Sequence, residues 1–237
     1  MTSSKKHRTH GNYNITLNTG TEIIKPQDHE VLLGGTISSD LKWKEHIRDS
    51  KISMVIQITK RLNALKKVSR ISNFKTRKMI ANGIILSKLS YLIQLWGGTS
   101  KFLLTLLQKL QNQAARLVTK GDWYTPVETL LRQCGWLSIK QLVIYHDLVL
   151  VFKIRSEGKP EYFYEKFTNE FGHCTRLKSS SLIKLEGKIP SALGEQNFTY
   201  NAVLQWNSLP PNLRQFSNLK KFKIALRSWI KTKVPVT

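Results

Sequence analysis

Between Lys51 and Lys120 the chain has no Asp or Glu across seventy residues that carry fourteen Lys or Arg. A soluble helical surface ordinarily mixes signs, because opposite charges one turn apart support a helix and like charges oppose it. A folded stretch without that support faces a polyanion or bears the repulsion, and phosphate backbone is the commonest such partner. Cysteine is scarce as well. Cys134 and Cys174 are the only two, which argues against a disulfide framework and fits a reducing compartment. No apolar run reaches the length of about 18 residues that a bilayer requires. The nearest, Ile84 to Trp96, contains Ser87, Lys88, Ser90 and Gln94 and reads as a buried helix. The polar start, Met1 to Arg8, lacks the apolar core of a secretory signal. The expectation is an intracellular protein, cytoplasmic or nuclear, that is not secreted and has no membrane partner.

Catalytic signatures are missing too. Asp28, Asp40, Asp49, Asp122 and Asp147 are scattered, whereas two-metal phosphoryl transfer needs convergent carboxylates. There is no nucleophile elbow, Walker loop, dinucleotide glycine loop or His-Glu-x-x-His. His7, His10, His173 and Cys174 lack the Cys-x-x-Cys spacing of a zinc site. His146, set in an apolar helix, reads as a half-buried packing residue, and Cys134, just before Gly135, as a small apolar residue at a helix end. No catalytic residue, metal or cofactor is expected.

What is present is ordinary globular stock: 237 residues, 41% hydrophobic, with nine Phe, seven Tyr and six Trp. That is too apolar for disorder and enough for one large core or two small ones. The net charge of +23, from 38 basic and 15 acidic residues, implies attraction to polyanions without specifying a fold.

Residues 1–10 read as a basic tail. Asn14–Leu17 and Thr21–Ile24, joined by Asn18-Thr19-Gly20, read as a β-hairpin. Val31 to Ile37 reads as a third strand whose Gly34-Gly35 pair marks a bulge or a close backbone approach. From Asp40, a plausible N-cap, the period turns helical, with Trp43, Ile47, Met54, Ile58, Leu62 and Leu65 on one face. A second helix is predicted from Phe74, capped by Asn73 or Ser72, to Trp96, ended by Gly97-Gly98. A third follows Ser100 and stops at Gly121, with Leu103, Leu106, Leu107, Leu110, Ala114 and Leu117 inward. Thr125-Pro126-Val127-Glu128 predicts a capping box opening a short helix that ends at Gly135. Ser138 to Gln141 repeats the box before a long helix to Glu157. Glu161 to Phe171 holds a short helical turn, Gly172 to Gly194 reads as extended chain and loop, and Phe198 to Trp206 as a helix stopped by Pro210-Pro211. Ser217 caps a last helix, Leu219 to Lys231. No fixed-period repeat occurs.

Lys60, Arg61, Lys66, Lys67 and Arg70 close the first helix, and Lys75, Arg77 and Lys78 open the second. Such clusters are usually solvated faces, but a solvated face mixes signs. One-sign clustering at a helix C-terminus also exceeds what the helix dipole calls for. These eight residues are therefore the candidate nucleic-acid contacts.

Leu32 to Ile47, with Leu33-Gly34-Gly35 and then Leu41-Lys42-Trp43-Lys44-Glu45-His46-Ile47, resembles the segment closing the palm of reverse transcriptases from non-LTR (LINE-type) retrotransposons. Three further stretches are similar to that family. Leu89-Ser90-Tyr91 and Trp96 precede Leu110 to Arg116. Trp136 to Ile139 leads to Phe152-Lys153-Ile154 and Gly158 to Tyr162. Trp206 to Pro210 precedes Phe222-Lys223. The resemblance implies a primer-grip hairpin at His29 to Ser39, with Leu33, Gly34 and Gly35 near the primer end, and a helical thumb from Leu41 to about Lys120 that packs along a template–primer duplex. The chain departs from the family pattern at Leu32, where an aromatic is usual, and at Gly35, where a branched residue is usual.

The family's catalytic Asp-Asp signature has no counterpart here, so the expectation is a truncated reverse transcriptase (RNA-directed DNA polymerase) fragment that is not an enzyme on its own. Its expected partners are RNA, RNA–DNA or DNA duplex, with other retrotransposon protein chains as a further class. Polymerase chemistry in complex with a separate palm, and a degenerate product without activity, stand as alternatives. The expected fold is α+β and predominantly α. It comprises a tail (1–10), a β element (11–39), a basic thumb-like region (40–121), a helical connection (122–159) and a mixed C-terminal segment (160–237).

Overall fold

The computed structural model describes residues 15–16, 23–24, 28–168, 182–184 and 198–236. The fold is α+β and predominantly α, and among the described residues the strands lie in the N-terminal part. The basic tail, the Asn18–Gly20 turn and most of the Gly172–Gly194 stretch lie outside the described residues. Strands β1 (Ile15–Thr16) and β2 (Ile23–Ile24) pair antiparallel, Ile15 opposite Ile24, where the first hairpin was expected.

The next segment corrects the single strand with a bulge. It is a second hairpin, β3 (His29–Leu32) paired antiparallel with β4 (Gly35–Ser38), with Leu32 opposite Gly35. Leu33 and Gly34 form its two-residue turn, at φ +50° and +74°. Positive φ at both positions matches the twist of a tight hairpin. Leu33, with a Cβ, is strained there by about 1 kcal/mol. The Tyr91 hydroxyl offsets this by donating to the Leu33 carbonyl at 2.6 Å.

The helix expected from Asp40 is interrupted. A π-helical turn, Glu45–Asp49, precedes α1 (Met54–Ser69), and Ser50 between them is extended. Asp40 caps no helix. Its carboxylate accepts the Lys42 amide at 3.0 Å and the Ser38 hydroxyl at 2.6 Å, closing a turn in which Leu41 has φ +54°. The hydroxyl of Ser50 accepts the Ile52 amide at 3.1 Å, a local bond that competes with the helical ladder. The apolar face survives the break, with Ile47, Met54, Ile58, Leu62 and Leu65 all buried.

The second predicted helix also divides. Asn73 caps α2 (Phe74–Ala81) by accepting the Thr76 amide at 2.9 Å. The chain continues through a π-helical turn, Asn82–Leu86, into α3 (Ser87–Ser90). It then breaks at Tyr91–Leu92, with Leu92 at φ +54°, before α4 (Ile93–Trp96). Next come α5 (Lys101–Thr119) and α6 (Val127–Cys134). The expected box at α6 is not made. Pro126 occupies the cap position and no side-chain cap bond forms there. At α7 (Ile139–Glu157) the Ser138–Gln141 capping box is complete. The remaining described helices are α8 (Glu161–Thr168), α9 (Phe198–Ser208), α10 (Pro211–Arg214) and α11 (Leu219–Lys233). Asn218, not Ser217, caps α11, accepting the amides of Lys220 and Lys221 at 2.9 and 3.1 Å.

Two helices organise the packing. α5 lies against α1, α2, α6 and α7, while α7 also carries α8, α9 and α11. One apolar core runs from Ile47 to Ile230, with Trp96 and Trp206 fully enclosed and the Phe152 and Phe222 rings stacked at 4.4 Å. A polar clamp joins the two helices. The Gln111 side-chain amide donates to the Leu137 carbonyl at 2.8 Å, and the Gln108 oxygen accepts the Ile139 amide at 2.8 Å. Gln141 then donates to the Val234 carbonyl at 2.7 Å, bringing the C-terminal segment to the same point.

Gly97 fits where α4 meets α7, and a Cβ there would lie 2.5 Å from the Ile93 carbonyl and 2.8 Å from Val143. Gly97→Ala is expected to lower unfolding stability by about 1–3 kcal/mol. Gly83→Ala, which meets nothing within 4 Å, should be neutral or slightly stabilising. Urea midpoints of the two variants check the contrast.

Candidate nucleic-acid interface

The eight basic residues do not behave alike. On α1 the buried positions are Met54, Ile58, Leu62, Leu65 and Ser69, which turns Lys60, Asn63, Lys66, Lys67 and Arg70 outward. Asn63, Lys66, Lys67 and Arg70 line an open depression of about 490 Å³. Lys75, in the first turn of α2, is exposed as well. No carboxylate lies in the surrounding sequence from Lys51 to Lys120 to neutralise this stripe. The ion pairs Lys42–Asp40, Lys44–Asp49 and Arg48–Asp49 fall just before it.

The other three are half-buried or buried. Arg77, expected at the surface, is 5% exposed. Its guanidinium donates to the Val118 carbonyl at 2.8 Å and to the Ser72 carbonyl, so it ties α2 to the end of α5 and is closed to a phosphate. Arg61 is half-buried and donates to the Ile84 carbonyl at 2.6 Å, inside the π-helical turn that follows α2. Lys78 is half-buried near Gly135, 3.6 Å from where a Cβ on that glycine would sit. A charge run in sequence cannot separate these fates, because burial of an arginine depends on which carbonyls the packed helices leave unpaired.

The hairpin residues Leu33, Gly34 and Gly35 come together at a tip seated on the Tyr91–Leu92 break. A Cβ on Gly35 would lie 2.9 Å from Leu92 Cδ1, so the missing side chain permits the contact. Beyond it, Val31, Leu32 and Leu33 are 51%, 61% and 78% exposed, an apolar edge. Behind the tip, the buried His46 Nδ1 accepts the Thr36 amide at 3.2 Å, pinning β4 to the π-helical turn. Burial, with Lys88 nearby, pulls the His46 pKa down to about 4.

The sequence did not flag two other features. Lys42, Lys44 and Arg48 line a depression of about 240 Å³ with Thr99, Ser100 and Phe102 at the start of α5, and Arg48 sits over the Phe102 ring at 5.5 Å. Alternating charge signs in residues 40–49 hid that patch. Asp147 stands in an apolar helix, 3% exposed, and burial raises its pKa to about 7 against the opposing bond from Gln205. Its only sequence signal was a charge on the inward face of α7. Cys134 and His146 sit as expected. The thiol is enclosed and its pKa raised to about 11, and the imidazole is half-buried with its pKa lowered, by burial first in each case. Among the described residues no group of three or more His, Cys, Asp or Glu gathers where it could hold a metal ion, and no helix is long and apolar enough to cross a membrane.

No protein-family model, curated protein or solved structure matches the chain.

Two outcomes follow for stability. Arg77→Met should cost about 2–4 kcal/mol, because burial leaves two carbonyls without their donor; chemical denaturation checks it. His46 and Asp147 titrate in opposition. With a folded pKa of about 4 against 6.5 unfolded, His46 contributes stability above pH 6.5 that is lost as pH falls toward 4. Asp147, at about 7 against 3.8, contributes stability below pH 3.8 that is lost as pH rises through 7. Asp147→Asn should therefore steepen the loss of stability from pH 7 to pH 5 by about 2 kcal/mol, unmasking the histidine. Melting curves across that window read it out.

Proposed function

We propose that the outward stripe of α1, extended by Lys75, is a holding surface for a nucleic-acid duplex, contacted through its phosphates and without base-specific readout. The observation that carries this is the exposed row Lys60, Lys66, Lys67 and Arg70 within a segment free of carboxylates from Lys51 to Lys120. From Lys60 to Arg70 the helix advances about 15 Å, a length that faces roughly four phosphates of one strand. A membrane surface would call instead for a basic helix with an unpartnered apolar face, and the apolar face of α1 is spent on α5.

The four ordered motifs similar to LINE-type reverse transcriptases supply the context. In that reading α1 to α5 serve as a thumb, and the Leu33–Gly35 tip lies toward the primer end. RNA, RNA–DNA and DNA duplexes are the proposed partners. Lys78, half-buried, completes a set of about six cations. Arg61 and Arg77 serve the fold.

Titration with duplex and single-stranded RNA and DNA across salt tests the proposal. With about six contacts the slope of log K against log salt is expected near −5 for duplex. Combined Lys66→Glu, Lys67→Glu and Arg70→Glu, with an unchanged melting curve, should flatten that slope by about 3. An affinity that does not move between low and moderate salt overturns the proposal, as does full retention of binding by the triple variant.

A further inference from the structure

A third cleft, of about 250 Å³, opens between Lys140 and Asp147 on α7, Phe198 and Gln205 on α9, and the Gly97–Gly98 turn. It shares no residue with the stripe on α1, so either assignment can fail without the other. Asp147 lines it while remaining 3% exposed. Among the described residues the Asp147 Oδ1 atom has no hydrogen-bond partner, and the same holds for Gln205 Oε1. The contact between the two side chains, Gln205 Nε2 to Asp147 Oδ2, is only 3.5 Å. With the carboxylate ionised, two enclosed acceptors thus sit side by side without donors, an arrangement folded proteins rarely leave unmatched.

The missing partner is a group with adjacent N–H donors. A guanidinium and the Watson–Crick edge of guanine both qualify, and charge decides between them. Lys140 lines the same cleft and is exposed, and the chain carries +23. A cation is repelled by both, whereas a neutral base bearing a phosphate is drawn in. Lys140 and Asp147 are seven residues apart on one face of α7, about 10 Å along its axis, which leaves room for a ribose between base and phosphate. The partly buried Phe198 ring offers a planar base an apolar wall.

We infer that this cleft binds an unpaired guanine nucleotide, with N1–H and N2–H donating to Asp147 and Gln205 and the phosphate held by Lys140. The base comes either from a free nucleotide or from a single-stranded RNA. In both cases the ionised carboxylate is the competent acceptor. Affinity therefore increases as pH rises from 6 to 8, through the raised pKa of Asp147.

Calorimetric titration of the full chain tests this, with GMP, IMP and AMP in one arm and the pentamers UUGUU and UUAUU in the other, at fixed salt. Guanine should be preferred over adenine by about tenfold or more. IMP, which lacks the 2-amino donor, should lose most of that preference, and so should Asp147→Asn and Gln205→Leu. A preference confined to one arm identifies the source of the base. Four results overturn the inference: equal binding of GMP and AMP together with equal binding of the two pentamers, no binding in either arm, IMP matching GMP, or a stronger response to arginine amide than to GMP. The IMP comparison needs no altered protein, so it decides even if both variants fail to fold.

Discussion

The glutamine clamp between α5 and α7 is the joint on which both halves of the molecule hang. A helix begins with amides that have no partner in their own ladder, and those of α7 start deep inside, where Ser138 and Gln141 are almost fully enclosed. Gln108 takes the Ile139 amide and Gln111 the Leu137 carbonyl. The Ser138–Gln141 box takes two more amides, and the free end of Gln141 reaches the chain near its end at Val234. Each such bond nets about 1 kcal/mol, but losing one strands a buried group at about 1–3 kcal/mol. The apolar contacts could slide by a turn, whereas this set of amides fits in one register. Since α5 carries the basic helices and α7 carries α8, α9 and α11, the clamp sets where every surface feature ends up.

The same economy governs the cations of the acid-free stretch. With no carboxylates nearby, inward-facing guanidinium groups pair with carbonyls left over at helix breaks and ends, as Arg77 does at Val118 and Arg61 at Ile84. Arginine suits this because its planar fork can meet separate acceptors and always keeps its charge. The lysines have no such geometry, and those of α1 stay outside while Lys78 and Lys88 are half-buried. The division of labour in the basic run therefore follows side-chain chemistry, and it leaves lysine to dominate the exposed stripe.

What the sequence could reveal follows from the range of the interaction involved. Helices α5 and α11 were legible because their apolar positions repeat with the helical period, and α7 because the Ser138 box and Gly158 that bound it are local signals. The breaks at Ser50 and Leu92 were not. The apolar period runs straight through both, and the second is seated against a hairpin tip nearly sixty residues earlier in sequence. The Gly34–Gly35 pair was seen as special, but whether it bulged or turned depended on β4 finding β3. For the candidate site, one-sign charge was visible and its direction was not. Asp147 was a lone letter in an apolar run until α9 packed across it.

The outward stripe has a further consequence for the free chain. Lys60, Lys66, Lys67 and Arg70 stand within a few turns of one another with no ion pair among the described residues, so the folded form carries its own repulsion. Dissolved ions relieve that strain by screening, while the same ions would erode the counterion-release gain of the phosphate contacts proposed for the stripe. On the proposed function, tightness of fold and tightness of grip would be set against each other. A bound polyanion would serve both, supplying the absent negative charge and adding its binding free energy to the folded state.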